Sequence, residues 1–519
     1  MQIRLNPSCR TLQITLFVIA FIVWQFPNPV LAQTTPISLN KRINASFIGD
    51  LNEIRERRVL RVLISYNRTN FFHTHKGDRG IEHDLLKAYE DYLNRGPRRE
   101  KYKTHIVFLT RPFNELIADL RAGFGDIVAA GLTVTPERSM LVDFTDPYIK
   151  NVREILVANA NAEPIQRLED LSNKQVAVVS SSSYVIHLEQ LNQALGRLGL
   201  PGMEIIQADS LLEGEDILEL VNAGLYDYTV SDNHIAEIYT NIYPKLKIYD
   251  NFQIYRGGKI AWAINKNLPD LKASLNDFIE NYARPGKLLG NSLYKKYFKN
   301  PYWIKAPLSL TALDENPCLQ YYFEKYATFF DFDWHLIAAQ AYQESRFEQN
   351  LRSRVGAYGI MQIRQSTASS KIVNIPNIKD LETNILAGTK YLAFLRDYYF
   401  SGDEYTPEER INFALAAYNA GPGRVRQFQR MARKKGIDPY KWFYNVEKMA
   451  LETVGYETVN YVATIQKTKI AFKLAKQVSE RKHLLKQEQL QAMESQDLED
   501  DENSDDIQQE EAVSEDDTP

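Results

Sequence analysis

The pattern of apolar residues changes once along the chain, near residue 300, and this change most limits the folds open to it. From residue 58 onward, short β-rich runs such as "THIVFL", "GDIVAAGL" and "QVAVVSS" alternate with amphipathic segments such as "FNELIADLRAG". Strand alternating with helix predicts an α/β layer fold. After "LYKKYFKNP" the strand patterns largely stop, and "WHLIAAQAYQES", "PEERINFALAAYN" and "YETVNYVATIQKTKIAFKLAKQ" predict helices. We therefore expect an α/β domain followed by an all-α domain, with the boundary at about 300–312.

The first 32 residues have the features of a secretory signal. Arg4 and Arg10 precede the apolar run "LQITLFVIAFIVWQF", and a small-residue cleavage site ends at Ala32. An uncleaved anchor is the alternative, but the run falls short of the roughly 20 residues that a membrane span needs. Cleavage would leave Cys318 as the single cysteine, so no internal disulfide is expected. The simplest prediction for Cys318 is a small buried residue.

These patterns divide the chain into five segments. They are a signal peptide at 1–32, a polar linker at 33–52, an α/β domain at 53–300, a helical domain at 312–482 and an acidic tail at 483–519. Its final stretch, "DLEDDENSDDIQQEEAVSEDDTP", has almost no apolar residues and no basic residue, so we expect the tail to be disordered. The whole chain is 44% hydrophobic and 25% charged, with a net charge of −4, which is ordinary for globular proteins and gives no reason to expect nucleic acid as a partner.

Glu344 is an unusual residue for its position in the helical domain. On a helix it shares a face with Ile337 and Ala341, which is the apolar face. Burial raises the pKa of a carboxyl group and keeps it protonated near neutral pH, where it can act as a general acid. A helix-terminal glutamate that reaches water is the alternative from this segment alone. Glu348, one turn further on, is expected at the surface.

Three later segments strengthen the interpretation of Glu344 as an acid. "GAYGIMQI" (356–363) places glycines where a tight loop can approach a ligand closely. "AAYNAGPGRV" (416–425) ends a helix at Asn419 and then turns, which presents Tyr418 and Asn419. "YETVNYVATI" (456–465) places Glu457 and Tyr461 four residues apart on one helical face. Each pattern is ordinary alone, but their order and spacing form a recognisable set.

The set "ES…GAYGIMQ…AYNAGPGRV…ETVNYV" resembles lytic transglycosylases with a lysozyme-like helical domain, over roughly residues 315–480. The resemblance implies cleavage of the β-1,4 bond between N-acetylmuramic acid and N-acetylglucosamine in peptidoglycan. It makes Glu344 the catalytic acid and base. Ile360 stands where the family usually has leucine, which is a mild change. The resemblance places substrate-binding residues at Ser345, Gln362, Tyr418, Asn419, Glu457 and Tyr461.

A transglycosylase can work with one carboxyl group, whereas a hydrolytic glycosidase usually needs two. The carboxylic acid protonates the leaving oxygen, and the resulting carboxylate takes the proton of the muramic C6 hydroxyl, which closes a 1,6-anhydro ring without water. Two alternatives stay open: a hydrolytic muramidase of the same fold, and a non-catalytic sensor of cell-wall fragments.

The first domain resembles family 3 extracellular solute-binding proteins, through "VAAGLTVTPERSMLVDFTDPY" (128–148) and "YARPGKLLGNSLYKKYF". The resemblance implies an amino-acid-type ligand. It assigns the ligand carboxylate to Arg138, a bidentate donor, with Thr133 beside it, and the ligand ammonium to Asp232 in the second lobe. Ser183 matches a contact in that lobe. Phe71 or Phe72 is a candidate to stack on the ligand.

The order of signal, solute-binding domain and transglycosylase domain resembles the membrane-bound lytic murein transglycosylase F family over nearly the whole chain. That resemblance implies a periplasmic location at the inner face of the outer membrane. It also implies a ligand domain that regulates lysis, with an amino acid or muropeptide as ligand. The eight scattered histidines form no metal-ligand pattern, and no phosphate-binding glycine loop occurs, so neither a metal nor a cofactor is expected.

Overall fold

The computed structural model describes residues 39–74, 76–96, 99–300 and 317–514, with the side chains given from 318 to 488 and at 491 in the last of these ranges. The predicted signal at 1–32 and the last five residues of the tail lie outside the described residues.

The first lobe combines chain segments from both ends of the first domain. In its sheet, β1 (Val59–Ile64) pairs parallel with β4 (His105–Thr110) and β5 (Ile127–Val128), and β12 (Ala263–Ile264) pairs antiparallel with β5 and β6 (Asp143–Phe144), which gives the strand order β4-β1-β5-β12-β6. The elements are α1 (Leu39–Asn44), α2 (Leu51–Arg57), β1 (Val59–Ile64), β2 (Phe72–Thr74), β3 (Gly77–Arg79), α3 (Ile81–Leu93), β4 (His105–Thr110), α4 (Leu116–Arg121), β5 (Ile127–Val128), α5 (Pro136–Leu141) and β6 (Asp143–Phe144).

The second lobe has its own five-stranded sheet, in the order β11-β7-β10-β8-β9. Its elements are β7 (Ile149–Asn159), β8 (Gln175–Val178), α6 (Ser183–Arg197), β9 (Glu204–Gln207), α7 (Gly214–Asn222), β10 (Tyr228–Asp232), α8 (Asn233–Thr240) and β11 (Leu246–Ile260). The chain then returns to the first lobe through β12 (Ala263–Ile264), α9 (Pro269–Phe278) and α10 (Leu288–Phe298). Because the chain crosses between the sheets after β6 and again after β11, the domain has two lobes joined by two segments.

The second domain is helical apart from two short strands. It contains α11 (Pro317–Phe329), α12 (Trp334–Ser345), β13 (Ala357–Tyr358), β14 (Ile363–Arg364), α13 (Gln365–Ala368), α14 (Leu381–Phe394), α15 (Pro407–Ala420), α16 (Pro422–Lys434), α17 (Glu447–Val454) and α18 (Glu457–Ser514). Short 3₁₀ segments are Glu100–Tyr102, Phe113–Glu115 and Leu168–Leu171, and π segments are Ile279–Ala283, Leu395–Tyr399 and Trp442–Val446. The predicted two-lobed α/β fold followed by a helical domain is confirmed.

Helix α18 packs on both domains. Near its start, Val462 and Ile465 are buried in the core of the helical domain. Two turns later, Ala471 is buried in the core cluster of the first domain, with Ile470 and Leu474 packed against it. An apolar stripe along one helix therefore joins the two domains.

Three expectations differ from the structure. Cys318 is exposed, not buried, because the inward face of α11 carries Leu319 and Phe323 and Cys318 lies off that face. The expected linker contains α1, which has no buried residue, and α2 begins at Leu51. The structure also continues α18 through the acidic tail to Ser514, where we expected disorder. Residues 456–514 contain neither glycine nor proline and are rich in helix-forming glutamate, glutamine, lysine and alanine.

No helix among the described residues is long and apolar enough to cross a bilayer.

Truncation after residue 490 should leave stability nearly unchanged. All side chains from 479 to 488 are exposed, so the removed end of the helix follows a stretch that buries no apolar surface. We expect the melting temperature to fall by less than about 2 °C, since a surface change of this kind is worth roughly 0.5 kcal/mol or less. A matched truncation after residue 468, which removes buried Ala471 and Phe472, should unfold the protein at a far lower temperature. A large fall for the first truncation would show that the tail docks on the protein.

Candidate active site and ligand cleft

Glu344 lies in the last turn of α12. Asp333 caps the start of this helix by accepting from the backbone N–H of His335, and Arg346, with φ of 56°, ends it. Ile337 and Ala341, on the same face as Glu344, are fully buried. Burial raises the pKa of the Glu344 carboxyl to about 7, although part of the side chain remains exposed. The predicted rise in pKa is confirmed in direction and cause.

Tyr461 on α18 holds the Glu344 carboxyl group. Its hydroxyl donates to Glu344 Oε1 at 2.6 Å, and the tyrosine side chain is buried. This hydrogen bond opposes the effect of burial on the pKa of Glu344. The second carboxyl oxygen, Oε2, has no partner among the described residues and is not one of the buried unpaired atoms. It is therefore the oxygen open to a substrate.

The glycine loop at 356–363 is tied to the glutamate helix. Ser345 Oγ lies 2.8 Å from the carbonyl of Ile360, to which it donates, and the serine is buried. Asn384 Oδ1 accepts from the backbone N–H of Met361 at 2.9 Å. At Gly359, φ is +81° and a Cβ would lie 2.2 Å from Asn384 Nδ2, so this loop position requires glycine. Ser345, expected at the substrate, thus links the helix to the loop.

Tyr418 and Asn419 lie at the end of α15, where Gly421 (φ +88°) ends the helix and Pro422 begins α16. The Tyr418 hydroxyl donates to the carbonyl of Met361 at 2.8 Å, which connects this turn to the glycine loop. Exposed Asn419 accepts from Thr458 Oγ1 through its side-chain oxygen at 2.7 Å. The nearby Glu344 charge adds to the effect of burial in raising the pKa of Tyr418 and of Tyr461.

The last two residues predicted to bind substrate are Gln362, which bonds within the glycine loop, and Glu457, which is exposed. Gln362 Nε2 donates to the carbonyls of Leu351 and Gly359, which folds its side chain over the glycine loop. Glu457 is exposed at the first turn of α18. Sequence reasoning missed Asn384 and Thr458, because each acts through a partner at least 23 residues away.

All four residues predicted for the ligand of the first domain line one cleft between the lobes. They are Thr133, Arg138, Ser183 and Asp232. Arg138 is buried, and its guanidinium donates to the carbonyl of Thr133 in the first lobe and to that of Ser181 in the second. Burial lowers the pKa of Arg138 to about 10. Neither partner is a carboxylate, so the positive charge is left without a direct counter-charge among the described residues.

Asp232 ends β10 on the opposite wall. Its carboxylate accepts from the Tyr184 hydroxyl at 3.1 Å, and burial, followed by the charge of Glu154, raises its pKa to about 8. Ser183 donates to Glu154 at 2.7 Å, and His187 lies 2.5 Å from the other Glu154 oxygen. The Ser183 hydroxyl is therefore already engaged by a buried carboxylate.

The expected stacking role of Phe71 or Phe72 is not supported, because neither lines the cleft, and Phe71 is buried with its ring against that of Phe108. Phe113 and Phe298 are the phenylalanines that line it.

Family models match both domains. The model for the transglycosylase SLT domain matches residues 321–441, and that for bacterial extracellular solute-binding proteins of family 3 matches residues 60–300. Fold and comparison together define a lytic transglycosylase with a solute-binding-type domain.

Several curated relatives share both domains. The chain is 30% identical to a membrane-bound lytic murein transglycosylase F of Desulfosudis oleivorans, over 80% of this chain and 89% of the relative. It is 31% identical to one of Maricaulis maris, over 79% of this chain and 87% of the relative. Among solved structures it is similar to an ancestral arginine-binding protein bound to arginine, with 26% identity, coverage of 46% of this chain and 98% of the other, and a TM-score of 0.38. The chain belongs to the membrane-bound lytic murein transglycosylase F family.

The raised pKa of Glu344 predicts a pH-dependent stability difference. The ordinary pKa of 4.5 rises to about 7 on folding, so the wild type loses stability as pH increases from about 4.5 to 7, whereas Glu344→Gln has no charge to bury. We expect the variant to be more stable at pH 8 by about 1–3 kcal/mol, after allowance for partial exposure, and equal at pH 4. Chemical denaturation at both pH values measures this. Glu348→Gln, at an exposed position, is the control; an equal effect in both variants would contradict the assignment.

Proposed function

We propose that this chain cleaves the β-1,4 bond between N-acetylmuramic acid and N-acetylglucosamine in peptidoglycan, and that the product carries a 1,6-anhydro ring. The observation that carries the proposal is the carboxyl group of Glu344, with a pKa of about 7, one oxygen held by Tyr461 and the other oxygen accessible. A carboxyl with this pKa exists in both protonation states near neutral pH, which suits a group that must give and then regain a proton.

The surroundings of Glu344 favour a mechanism with one carboxylate. Its pKa departs from the ordinary value through burial and the Tyr461 hydrogen bond, with no contribution from another charged group among the described residues. Glu348, the nearest carboxylate in sequence, is exposed. Hydrolytic glycosidases usually place a second carboxylate close to the first to activate water or attack the sugar. The absence of a second carboxylate acting on Glu344 among the described residues supports the one-carboxylate mechanism over the hydrolytic alternative.

The reaction needs two proton movements at Glu344. The protonated carboxyl gives its proton to the glycosidic oxygen, and the bond from that oxygen to C1 breaks. The acetamido oxygen of the substrate stabilises the positive charge that forms at C1. The carboxylate then takes the proton of the C6 hydroxyl, whose oxygen bonds to C1, so Glu344 regains its proton and no water is consumed.

The other motif residues position the glycan in this proposal. Tyr418 and Asn419 border the site and present a ring and an amide, which suit a sugar face and its hydroxyl groups. Gln362 and Ser345 hold the glycine loop that forms another wall. Glu457, exposed at the start of α18, is available to polar groups of the substrate.

Glu344→Gln tests the catalytic assignment. The amide keeps the shape but cannot cycle a proton, so lysis of purified sacculi should fall by roughly 10²–10⁴-fold or more, while glycan binding survives. Mass spectrometry of wild-type digests should find 1,6-anhydro ends. Glu348→Gln is the matched control and should digest at the wild-type rate.

Other products would select other functions. Free reducing ends would indicate a hydrolytic muramidase, and binding without any cleavage would indicate a non-catalytic sensor. Lysis by Glu344→Gln near the wild-type rate would remove Glu344 from the mechanism.

We also propose that the first domain binds a free amino acid or a muropeptide stem and that this binding tunes lysis. The support is charge complementarity: Arg138 lacks a carboxylate partner among the described residues, and Asp232 is held at a raised pKa without a cation beside it. A ligand with a carboxylate and an ammonium group would supply both missing charges. Both would be met only when the lobes are closed, so such a ligand favours closure.

The route from cleft to active site would pass through α7 and α18. Glu213 and Glu215, at the start of α7, line the cleft, and Asp216 beside them contacts Lys467 of α18 at 2.5 Å. Arg68 of the first lobe pairs with the same Asp216 at 3.3 Å. The helix that receives this contact also carries Tyr461. A change in lobe position would therefore act on α18, whose Tyr461 donates to the Glu344 carboxyl group.

Ligand binding should require Arg138 and should release a proton. At pH 7 Asp232, with a pKa of about 8, is mostly protonated, and a ligand ammonium would favour its ionised form. Calorimetry on the full-length chain with amino acids and stem peptides, in buffers of different ionisation enthalpy, should show proton release and tighter binding at pH 8 than at pH 6. Arg138→Ala should abolish binding but leave basal lysis intact.

Arg153→Ala is the control for the ligand experiment, because Arg153 pairs with Asp250 and does not line the cleft. If no ligand binds, or if Arg138→Ala binds as tightly as the wild type, the first domain is a scaffold and the sensing proposal fails.

The location that we propose is the periplasm, peripheral to the inner face of the outer membrane. Support comes from the signal-like first 32 residues and from the membership of the family.

A further inference from the structure

Gln340 is a buried amide next to the catalytic pair, one helical turn before Glu344 on α12. Its side chain is fully buried, and its Nε2 donates to the Tyr461 hydroxyl at 3.2 Å. Its Oε1 is buried and has no hydrogen-bond partner in the described part of the chain. The family motifs do not include this position, and Gln340 does not reach the carboxyl group of Glu344 directly.

Packing alone does not explain a glutamine at position 340, because an apolar side chain would pack there without an unpaired polar group. Ala338, Ala339 and Ala341 around it are apolar and fully buried, so this is a core position. A buried acceptor without a partner destabilises the folded state, whereas an apolar side chain of similar size would leave no such group. What the amide adds is one N–H group directed at Tyr461.

That N–H group decides the direction of the hydrogen bond at Glu344. The Tyr461 hydroxyl has a single hydrogen and can both donate and accept. Because it accepts from Gln340, its own hydrogen is directed to Glu344 Oε1, 2.6 Å away. Without Gln340 the hydroxyl could instead accept from a protonated Glu344, and the catalytic proton would then point at Tyr461 rather than at the substrate.

The direction of this bond selects the oxygen that carries the proton. Oε1 already accepts from Tyr461, so a proton on Glu344 belongs on Oε2, the accessible oxygen. We propose that Gln340 is a positioning residue that fixes Tyr461 as a donor to Oε1 and so keeps the reactive proton of Glu344 on Oε2. The inference rests on the proposed role of Glu344 as acid and base, and adds a residue that acts through Tyr461.

Gln340→Met tests the inference, because methionine has a similar length and lacks the N–H group. On soluble glycan chains we expect kcat to fall about tenfold, a part of the roughly 10²–10⁴-fold that general acid–base catalysis contributes, with KM little changed. Tyr461 should also become a weaker donor, so the ionised form of Glu344 loses stabilisation. The alkaline limb of the pH–rate profile should therefore move up by about 0.5 pH unit.

The matched control is Gln429→Met in the same domain. Gln429 is also a buried amide that donates to a tyrosine, Tyr405, at 2.6 Å, and it donates to the carbonyl of Pro439 as well. Its loss should lower the melting temperature without moving the alkaline limb. A role of Gln340 in stability alone would give the same result as this control.

A double-mutant cycle with Tyr461→Phe separates positioning from other effects. Since Gln340 acts through the Tyr461 hydroxyl, adding Gln340→Met to Tyr461→Phe should leave the pH–rate profile where Tyr461→Phe alone puts it. An equal shift in both backgrounds would overturn the inference, as would a Gln340→Met profile identical to that of Gln429→Met.

Gln340→Leu repeats the test with another apolar residue that favours helices. Failure of both the Met and Leu variants to fold would show that the amide serves the core, and would overturn the inference. The proposed function fails separately, if Glu344→Gln remains active. If that variant is inactive and Gln340→Met shifts nothing, the role of Gln340 alone is refuted.

Discussion

The hydrogen bond between Tyr461 and Glu344 joins α18 to α12, the helix that carries the glutamate, and the proposed catalysis and the proposed regulation both depend on it. Six residues further along α18, about 9 Å on the helix axis, Lys467 contacts the second lobe of the first domain. One helix, α18, therefore contacts both the Glu344 carboxyl group, through Tyr461, and the second lobe, through Lys467. The packing of Ile470, Ala471 and Leu474 on the first domain fixes where that helix lies.

Burial raises the pKa of a carboxyl group both at Glu344 and in the ligand cleft at Asp232, but the two groups have different neighbours. The pKa rises to about 7 at Glu344 and about 8 at Asp232. At Glu344 a hydroxyl partly offsets the effect and leaves a group that can give up its proton. At Asp232 the charge of nearby Glu154 reinforces it, which leaves a group that gains stability from an incoming cation. Neighbouring groups, more than burial itself, distinguish a proton donor from a receptor for a cation.

The sequence predicted what local patterns can encode. The apolar face of α12 indicated Glu344 and its raised pKa, and the glycines at 356–363 indicated the loop that a Cβ at Gly359 would disrupt. Local patterns could not predict contacts between residues that are distant in sequence. Asn384, Thr458 and Lys467 make such contacts, with partners 23, 39 and 251 residues away. The exposure of Cys318 was wrongly predicted because a strongly aromatic helix does not reveal which side faces the core. The predicted disorder of the tail was wrong because it was argued from composition. A lack of apolar residues shows that a segment cannot build a core, but it does not show whether the segment prefers helix.

The contact between α18 and the first domain has a polar part and an apolar part, and these respond differently to the solution. The Lys467 side chain is 31% exposed and that of Asp216 is 10% exposed, so dissolved ions reach the lysine and screen the pair in part. The stripe around Ala471 is buried and is strengthened, not weakened, by many salts. We therefore expect rising ionic strength to weaken the Lys467–Asp216 pair while the apolar stripe keeps α18 packed on the first domain.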